Sequence, residues 1–266
     1  MVPAAQQLFL DHALPVLART PGLVGVAVGG SWLENSLDQY SDLDLVLVLD
    51  PAQAPRLMEE RPLLAASLGQ LLECFTGEHV GEPRLLICLY DEPLLHVDLK
   101  FVALPDLAQR VEDPSILWQQ DTLVSGVLQA SRAQPPPAPS LQWLEDRFWI
   151  WVHYAATKLG RGELLEVVSF LDYLRTTVLG PLLTQQHGGL PVRGVRKLEQ
   201  MLPTSALASL HATVATAERT SCVHALEQAI ATYRSLRHTL RTPEFVAKQQ
   251  VERRAVTYLA DVASGA

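Results

Sequence analysis

Asp42 and Asp44 open an apolar run, Leu43 to Leu49, and Asp42 follows Ser31 by eleven residues in a chain that reads Val26-Ala27-Val28-Gly29-Gly30-Ser31 just upstream. The apolar runs read as two strands joined by a Gly-Ser turn and a polar connection. Side chains alternate along a strand, so Asp42 and Asp44 share one face while Leu43 and Leu45 share the other. Two carboxylates on one face repel unless a cation lies between them. Oxygen ligands at this spacing suit Mg²⁺, which is held by one or two carboxylates together with substrate phosphates. The glycines let backbone N–H groups approach a phosphate closely. A later segment, His96-Val97-Asp98-Leu99-Lys100-Phe101, alternates in the same way. Val97, Leu99 and Phe101 point to one face, and His96, Asp98 and Lys100 to the other. His96 stands where it orients a carboxylate, touches substrate or lies in solvent.

Gly30-Ser31 followed by Ser41-Asp42-Leu43-Asp44-Leu45 resembles the signature of the DNA polymerase beta-like nucleotidyltransferases, in particular the branch of antibiotic (aminoglycoside and lincosamide) nucleotidyltransferases. That family carries a third carboxylate on a neighbouring strand, and the resemblance assigns this role to Asp98. The segment from Val111 to Asp121 is similar to the edge strand that follows the third carboxylate. Recognisable motifs span about residues 20–125. The resemblance implies an α+β fold: an N-terminal nucleotidyltransferase domain, with a mixed sheet flanked by helices, followed by an all-α bundle.

These residues need strands and helices to position them. The pattern predicts helix over about 4–18, strands at 23–28 and 43–49, helix over about 53–75, and strands at 84–90, 95–102 and near 115–120. Ser131 to Ser140 holds four prolines in ten residues, which favours an extended linker. The division expected is 1–132 for the catalytic domain, 133–140 for the linker and 141–266 for a helical substrate- and nucleotide-binding domain. Its helices are expected near 140–159, 163–179, 191–201, 204–217, 221–240 and 243–261, punctuated by Gly160, Gly162, Gly188, Gly189 and Pro203.

The chain has 266 residues and a net charge of −8, with 48% hydrophobic and 19% charged residues, the balance of a globular protein with a sizeable core. Residues 1–139 carry seven Lys+Arg against eighteen Asp+Glu, and residues 140–266 fourteen against eleven. An acidic half with a cation site and a mildly basic half suit a nucleoside triphosphate held by both. No basic run recommends nucleic acid as ligand. No apolar run approaches the roughly 20 residues of a membrane span. Cys74, Cys88 and Cys222 are widely spaced and lack metal-ligand spacing. With no secretory pattern at the N-terminus, a reducing cytoplasm is the expected location. The chain is expected as a monomer or homodimer.

The helix after the linker carries two stripes. At about 100° per residue, Leu141, Leu144, Phe148, Val152, Ala155 and Leu159 form an apolar packing face. Trp143, Arg147, Trp151, Tyr154 and Lys158 form the second, where aromatic rings can stack a base and cations can neutralise phosphate. This stripe is expected to face the aspartates across an open gap. The alternative is a second packing face, with Lys158 complementing the helix dipole. Glu163 and Glu166 read as partners of a helix N-terminus.

With the resemblance, these residues predict a Mg²⁺-dependent adenylyltransferase that moves AMP from ATP to a hydroxyl of a small molecule. Asp42, Asp44 and Asp98 are its catalytic residues and the ligands of one or two Mg²⁺ ions. Gly30, Ser31, Ser41, Arg147, Tyr154 and Lys158 are its nucleotide contacts. The alternatives are an antitoxin-like enzyme that adds AMP to a protein, and a nucleotide-binding relative without turnover. The 127 residues after position 139 favour an in-chain substrate domain over the first.

Overall fold

A computed structural model describes residues 2–135, 137–189 and 194–265. The chain divides into two units, residues 1–136 and 137–266.

The first unit begins with helix α1 (Ala4–Arg19), which buries Phe9, Leu10, Ala13 and Leu17 on one face. The strands follow as β1 (Leu23–Val28) and β2 (Leu43–Leu49). Short helices α2 (Ala54–Glu59) and α3 (Arg61–Ala66) lead to β3 (Gln70–Gly77), β4 (Glu82–Asp91), β5 (Leu95–Ala103) and β6 (Ser115–Gln119). Helix α4 (Leu123–Ala130) closes the unit. The sheet order is β3-β4-β5-β2-β1-β6. Among the described residues only the β2–β5 pair is parallel, so the sheet is mixed, as the fold class required.

Alternation sets which side chains face the core. Leu43, Leu45, Leu47 and Leu49 are buried with Val97, Leu99 and Phe101, beneath α1. Burying each such side chain is worth about 1.5–3 kcal/mol, and a one-residue slip would turn the whole set outward. This fixes Asp44 and Asp98 on the opposite face. That face is covered over the far ends of β2 and β5, where Val48, Val102 and Leu107 pack against Val124 of α4. Asp44 and Asp98 lie at the near ends, half-buried.

The helix expected over 53–75 is instead two short helices and a strand. Pro62 lies in the first turn of α3, where its missing N–H is harmless but would break a continuous helix. Beyond Gly69 the chain pairs with β4, with Cys74 opposite Cys88. Helix α4 was not foreseen. The three cysteines are unpaired, and burial pushes the Cys88 thiol up to about 12, too high for a reactive thiolate.

The second unit is helical: α5 (Leu141–Gly160), α6 (Leu164–Leu174), α7 (Gly180–Gln186), α8 (Leu198–Met201), α9 (Thr204–His211), α10 (Arg219–Leu240) and α11 (Gln249–Ser264). Ser140 caps α5 by accepting from the Trp143 N–H. The expected stripe of α5 is its core face, from Leu144 to Leu159. The expected helix 163–179 is α-helical from Leu164 to Leu174, continues as a π turn, Arg175–Leu179, and runs directly into α7. Of the helix expected over 191–201, residues 191–193 lie outside the described residues and Leu198–Met201 is helical. The helix expected from 243 begins at Gln249. The Gln142 amide accepts from Val246 N–H at 2.9 Å and donates to its carbonyl at 3.2 Å. That pair takes both backbone groups a helix would need. No helix among the described residues is long and apolar enough to cross a membrane.

Beyond the expected face, α5 also buries Glu145 and Trp149. Glu145 Oε1 accepts from Trp149 Nε1 at 3.1 Å, Arg237 Nη1 at 3.0 Å and Lys248 N–H at 2.8 Å. Its Oε2 accepts from the Tyr233 hydroxyl at 2.7 Å. One carboxylate thus ties α5, α10 and the start of α11 together.

Candidate active site

The site is built where β1 ends, β2 begins and β5 runs beside them. The Gly29 N–H donates to the Asp44 carbonyl at 2.9 Å, which extends the β1–β2 ladder into the turn. Gly30 has φ of +60°, a left-handed conformation that favours glycine. A Cβ on Gly30 would lie 1.9 Å from Asp44 Oδ2, so the missing side chain makes room for that carboxylate. Gly30→Ala is therefore expected to cost at least the 1–2 kcal/mol or so of a left-handed L-residue and to push Asp44 out of place. Thermal unfolding and ATP affinity would report this, and an alanine variant matching the wild type in both would contradict it.

Asp44 and Asp98 are register partners across the parallel β2–β5 pair, on strands that neighbour each other at about 4.8 Å. Asp42 lies two residues before Asp44, half-buried in the segment that enters β2. Asp98 Oδ1 is 2.9 Å from His96 Nε2. Burial pushes the Asp98 carboxyl above its ordinary value. The adjacent His96 pulls it down, and the negative charge of Asp42 adds to the rise. Asp42 and Asp98 therefore sense each other electrostatically. Lys100, on the same face of β5, pairs with Glu82 at 2.9 Å. Glu82 titrates at about 2, held there by the Arg84 guanidinium and by Lys100.

Ser31 lies in a single 3-10 turn, Gly30–Trp32, and its carbonyl accepts from Ser36 N–H. Ser41 exchanges hydrogen bonds with Asp38: its hydroxyl donates to Oδ1 and accepts from the Asp38 N–H, both at 3.0 Å. Ser41 thus shapes the loop that delivers Asp42.

The sequence reading missed Glu112. Its Oε1 accepts from the Gly30 N–H at 3.0 Å, and a Cβ on Gly29 would lie 2.5 Å from that oxygen. The diglycine turn is thus bracketed by two carboxylates, Asp44 at Gly30 and Glu112 at Gly29. The antiparallel β1–β6 pairing, with Val28 opposite Ser115, brings the residues before Ser115 alongside those after Val28. An exposed anion already sits on the amide that was expected to meet a phosphate.

The donor set is made of hard oxygens of like charge and suits Mg²⁺. Among the described residues no three His, Cys, Asp or Glu side chains stand close enough to cage an ion by themselves. Mg²⁺ keeps waters and is commonly held by one or two carboxylates plus phosphate oxygens. These residues therefore fit a cation that arrives with a nucleotide.

The second stripe of α5 stays in place as a partly exposed aromatic surface. Trp151 lies 5.9 Å from Trp143 and 5.3 Å from Tyr173, and Tyr154 lies 4.9 Å from Phe170. The Arg147 guanidinium sits 3.9 Å over the Trp143 ring. Lys158 bonds Glu163 at 2.6 Å, and the Tyr154 hydroxyl donates to Glu166 at 2.8 Å. Glu163 and Glu166, read from sequence as helix-end residues, are the partners of these two.

No protein-family model matches the chain, and no curated protein does. Solved structures do. An aminoglycoside 6-adenyltransferase from Bacillus subtilis is 14% identical, with 97% of this chain and 98% of that chain covered and a TM-score of 0.42. A nucleotidyltransferase-like protein from Exiguobacterium sibiricum is 12% identical, with 95% and 77% covered and a TM-score of 0.37. A spectinomycin adenyltransferase from Enterococcus faecialis, solved with ATP and spectinomycin, is 12% identical, with 98% of each chain covered and a TM-score of 0.29. At these identities and scores, function has to be read from the site itself.

Proposed function

We propose that this chain is an adenylyltransferase: it moves AMP from ATP onto a hydroxyl of a small acceptor. The observation that carries the reading is the pairing of Asp44 with Asp98 across the β2–β5 junction, beside a diglycine turn that makes room for the Asp44 carboxylate. Two strand-borne carboxylates on one face, with a third two residues upstream, supply what a metal-bound triphosphate needs.

In this reading the acceptor oxygen attacks the α-phosphorus, the bond to the β-phosphate breaks, and pyrophosphate leaves with the bonding electrons. Mg²⁺, as one or two ions held by Asp42 and Asp44 with Asp98 beside them, supplies charge neutralisation at the phosphates when bound. Asp98 is the group suited to take the acceptor proton, because burial raises its basicity. Gly30, Ser31 and Ser41 border the triphosphate. For the Gly30 amide to reach a phosphate, the exposed Glu112 side chain swings away. Arg147, Tyr154 and Lys158 are the contacts assigned to the helical unit. Tyr154 and Lys158 would exchange a carboxylate partner for the nucleotide.

The test is incubation with adenosine-labelled ATP, Mg²⁺ and a panel of small hydroxylated acceptors, aminoglycosides and lincosamides included. Pyrophosphate and labelled acceptor are expected in equal amounts, and both disappear on chelation. Label appearing on protein instead would point to a protein-modifying enzyme. Bound Mg²⁺–ATP without any pyrophosphate would point to a binder without turnover. No binding at all would end the nucleotide reading.

A further inference from the structure

Gln6 is out of place by the rules that build α1. The buried face of that helix is otherwise apolar, with Phe9, Leu10, Ala13 and Leu17, yet Gln6 lies on it with 0% of its surface exposed. Its amide nitrogen donates to the Ser41 carbonyl at 2.6 Å and to the Asp38 carbonyl at 3.2 Å. Both partners are acceptors, which fixes the amide orientation, since only the NH₂ end can donate. The Oε1 at the other end is buried and has no partner. An orphaned buried carbonyl costs stability, and an apolar residue of the same shape would avoid that cost. Residues that break a local rule at a cost to the fold concentrate where function constrains the chain.

The two carbonyls that Gln6 holds bracket the turn leading into Asp42. Asp38 to Tyr40 are exposed, and within the turn the Asp38 carboxylate accepts from Tyr40 N–H and the Ser41 hydroxyl. Ser41 is the residue before Asp42, so its carbonyl belongs to the peptide plane that sets how Asp42 leaves the loop. We infer that Gln6 is a positioning residue: from the core side of α1 it fixes the Asp38–Ser41 turn so that the Asp42 carboxylate is held beside Asp44 and Asp98. The inference rests on the nucleotidyltransferase reading, and it assigns a function to a core residue outside every motif of that reading.

Gln6→Met tests it, because methionine fills the same space without either polar end. The probe is Mg²⁺–ATP, with affinity measured with Mg²⁺ and again with the metal chelated. The melting temperature is expected to change little, because removal of the orphaned carbonyl offsets the loss of the two bonds to the Ser41 and Asp38 carbonyls. The gain in ATP affinity that Mg²⁺ confers is expected to fall by about tenfold, the lower end of what groups supporting a metal ligand contribute. Metal-free affinity stays the same. In an Asp42→Asn background, Gln6→Met should change that gain no further, since both act through one carboxylate. A full Mg²⁺-dependent gain in Gln6→Met overturns the inference and leaves the nucleotide reading standing. So does a fall in melting temperature by several degrees with the gain intact in the folded fraction. Absence of any Mg²⁺-dependent gain in the wild type overturns both. If Gln6→Met does not fold, Asp38→Ala loosens the same turn from its exposed side. The same loss is expected there, and an unchanged gain overturns the inference.

Discussion

Asp44→Asn is expected to lower turnover by at least about 100-fold, and Asp42→Asn to do the same, because in the proposed reading each removes one of the charges that would hold Mg²⁺ against the triphosphate. The two variants differ in what else they disturb. Asp44 is inside β2, with its carboxylate packed at Gly30, and asparagine preserves that shape. Asp42 lies before the strand, and its charge acts on Asp98. Burial is the main cause of the raised Asp98 carboxyl and the Asp42 charge the smallest, so removing that charge should move the acid side of the pH profile only slightly to lower pH. Pyrophosphate release, beside circular dichroism to confirm the fold, would measure both. Near wild-type turnover in either variant would sink the assignment of this face as the active site.

The second large effect is on stability. Glu145→Ala is expected to cost roughly 3–5 kcal/mol, the usual loss when one partner of a buried, hydrogen-bonded ion pair is deleted. Four donors lose their acceptor at once: the Trp149 indole, the Tyr233 hydroxyl, the Arg237 guanidinium and the Lys248 amide. Arg237 keeps Glu252 at 2.7 Å, so its charge is not left alone. The Tyr233 phenol, held above its usual range by burial and then by the bond to Glu145, becomes a buried donor with nothing to meet. Urea denaturation followed by tryptophan fluorescence would show the shift, since Trp149 reports the site directly. A loss under about 1 kcal/mol would mean that water or a neighbour replaces the carboxylate.

How much of this was legible depends on the range over which each residue is determined. The strict alternation in β2 and β5 is local, so the faces of Asp44, Asp98, His96 and Lys100 could be read directly. The apolar stripe of α5 was legible for the same reason. Strand β3 was not. Its Leu72 and Phe75 are 49% and 54% exposed, so no alternation marks a buried face, and only pairing with β4 makes it a strand. Glu112 escaped because its place is set by β6 lying beside β1, a contact of residues more than eighty positions apart. Gln6 escaped for a similar reason: in sequence it is one polar residue in an amphipathic helix, and its partners lie in a loop beyond the next strand. Glu145 drew no reading from the sequence, because its partners come from α10 and the start of α11.

The one parallel pair in the sheet also dictates when the site comes into being. β3, β4 and β5 are joined in order by tight turns, and β1 reaches β2 through a modest loop, so each set can form from nearby chain. Joining β2 to β5 closes a loop of more than fifty residues, which costs about 3–4 kcal/mol of chain entropy before any contact repays it. Non-local parallel pairing of this kind is a slow event in folding. Asp44 and Asp98 belong to different pieces until it happens. A chain in which β2 and β5 have not yet joined therefore carries strands but no assembled pair of carboxylates until its sheet is complete.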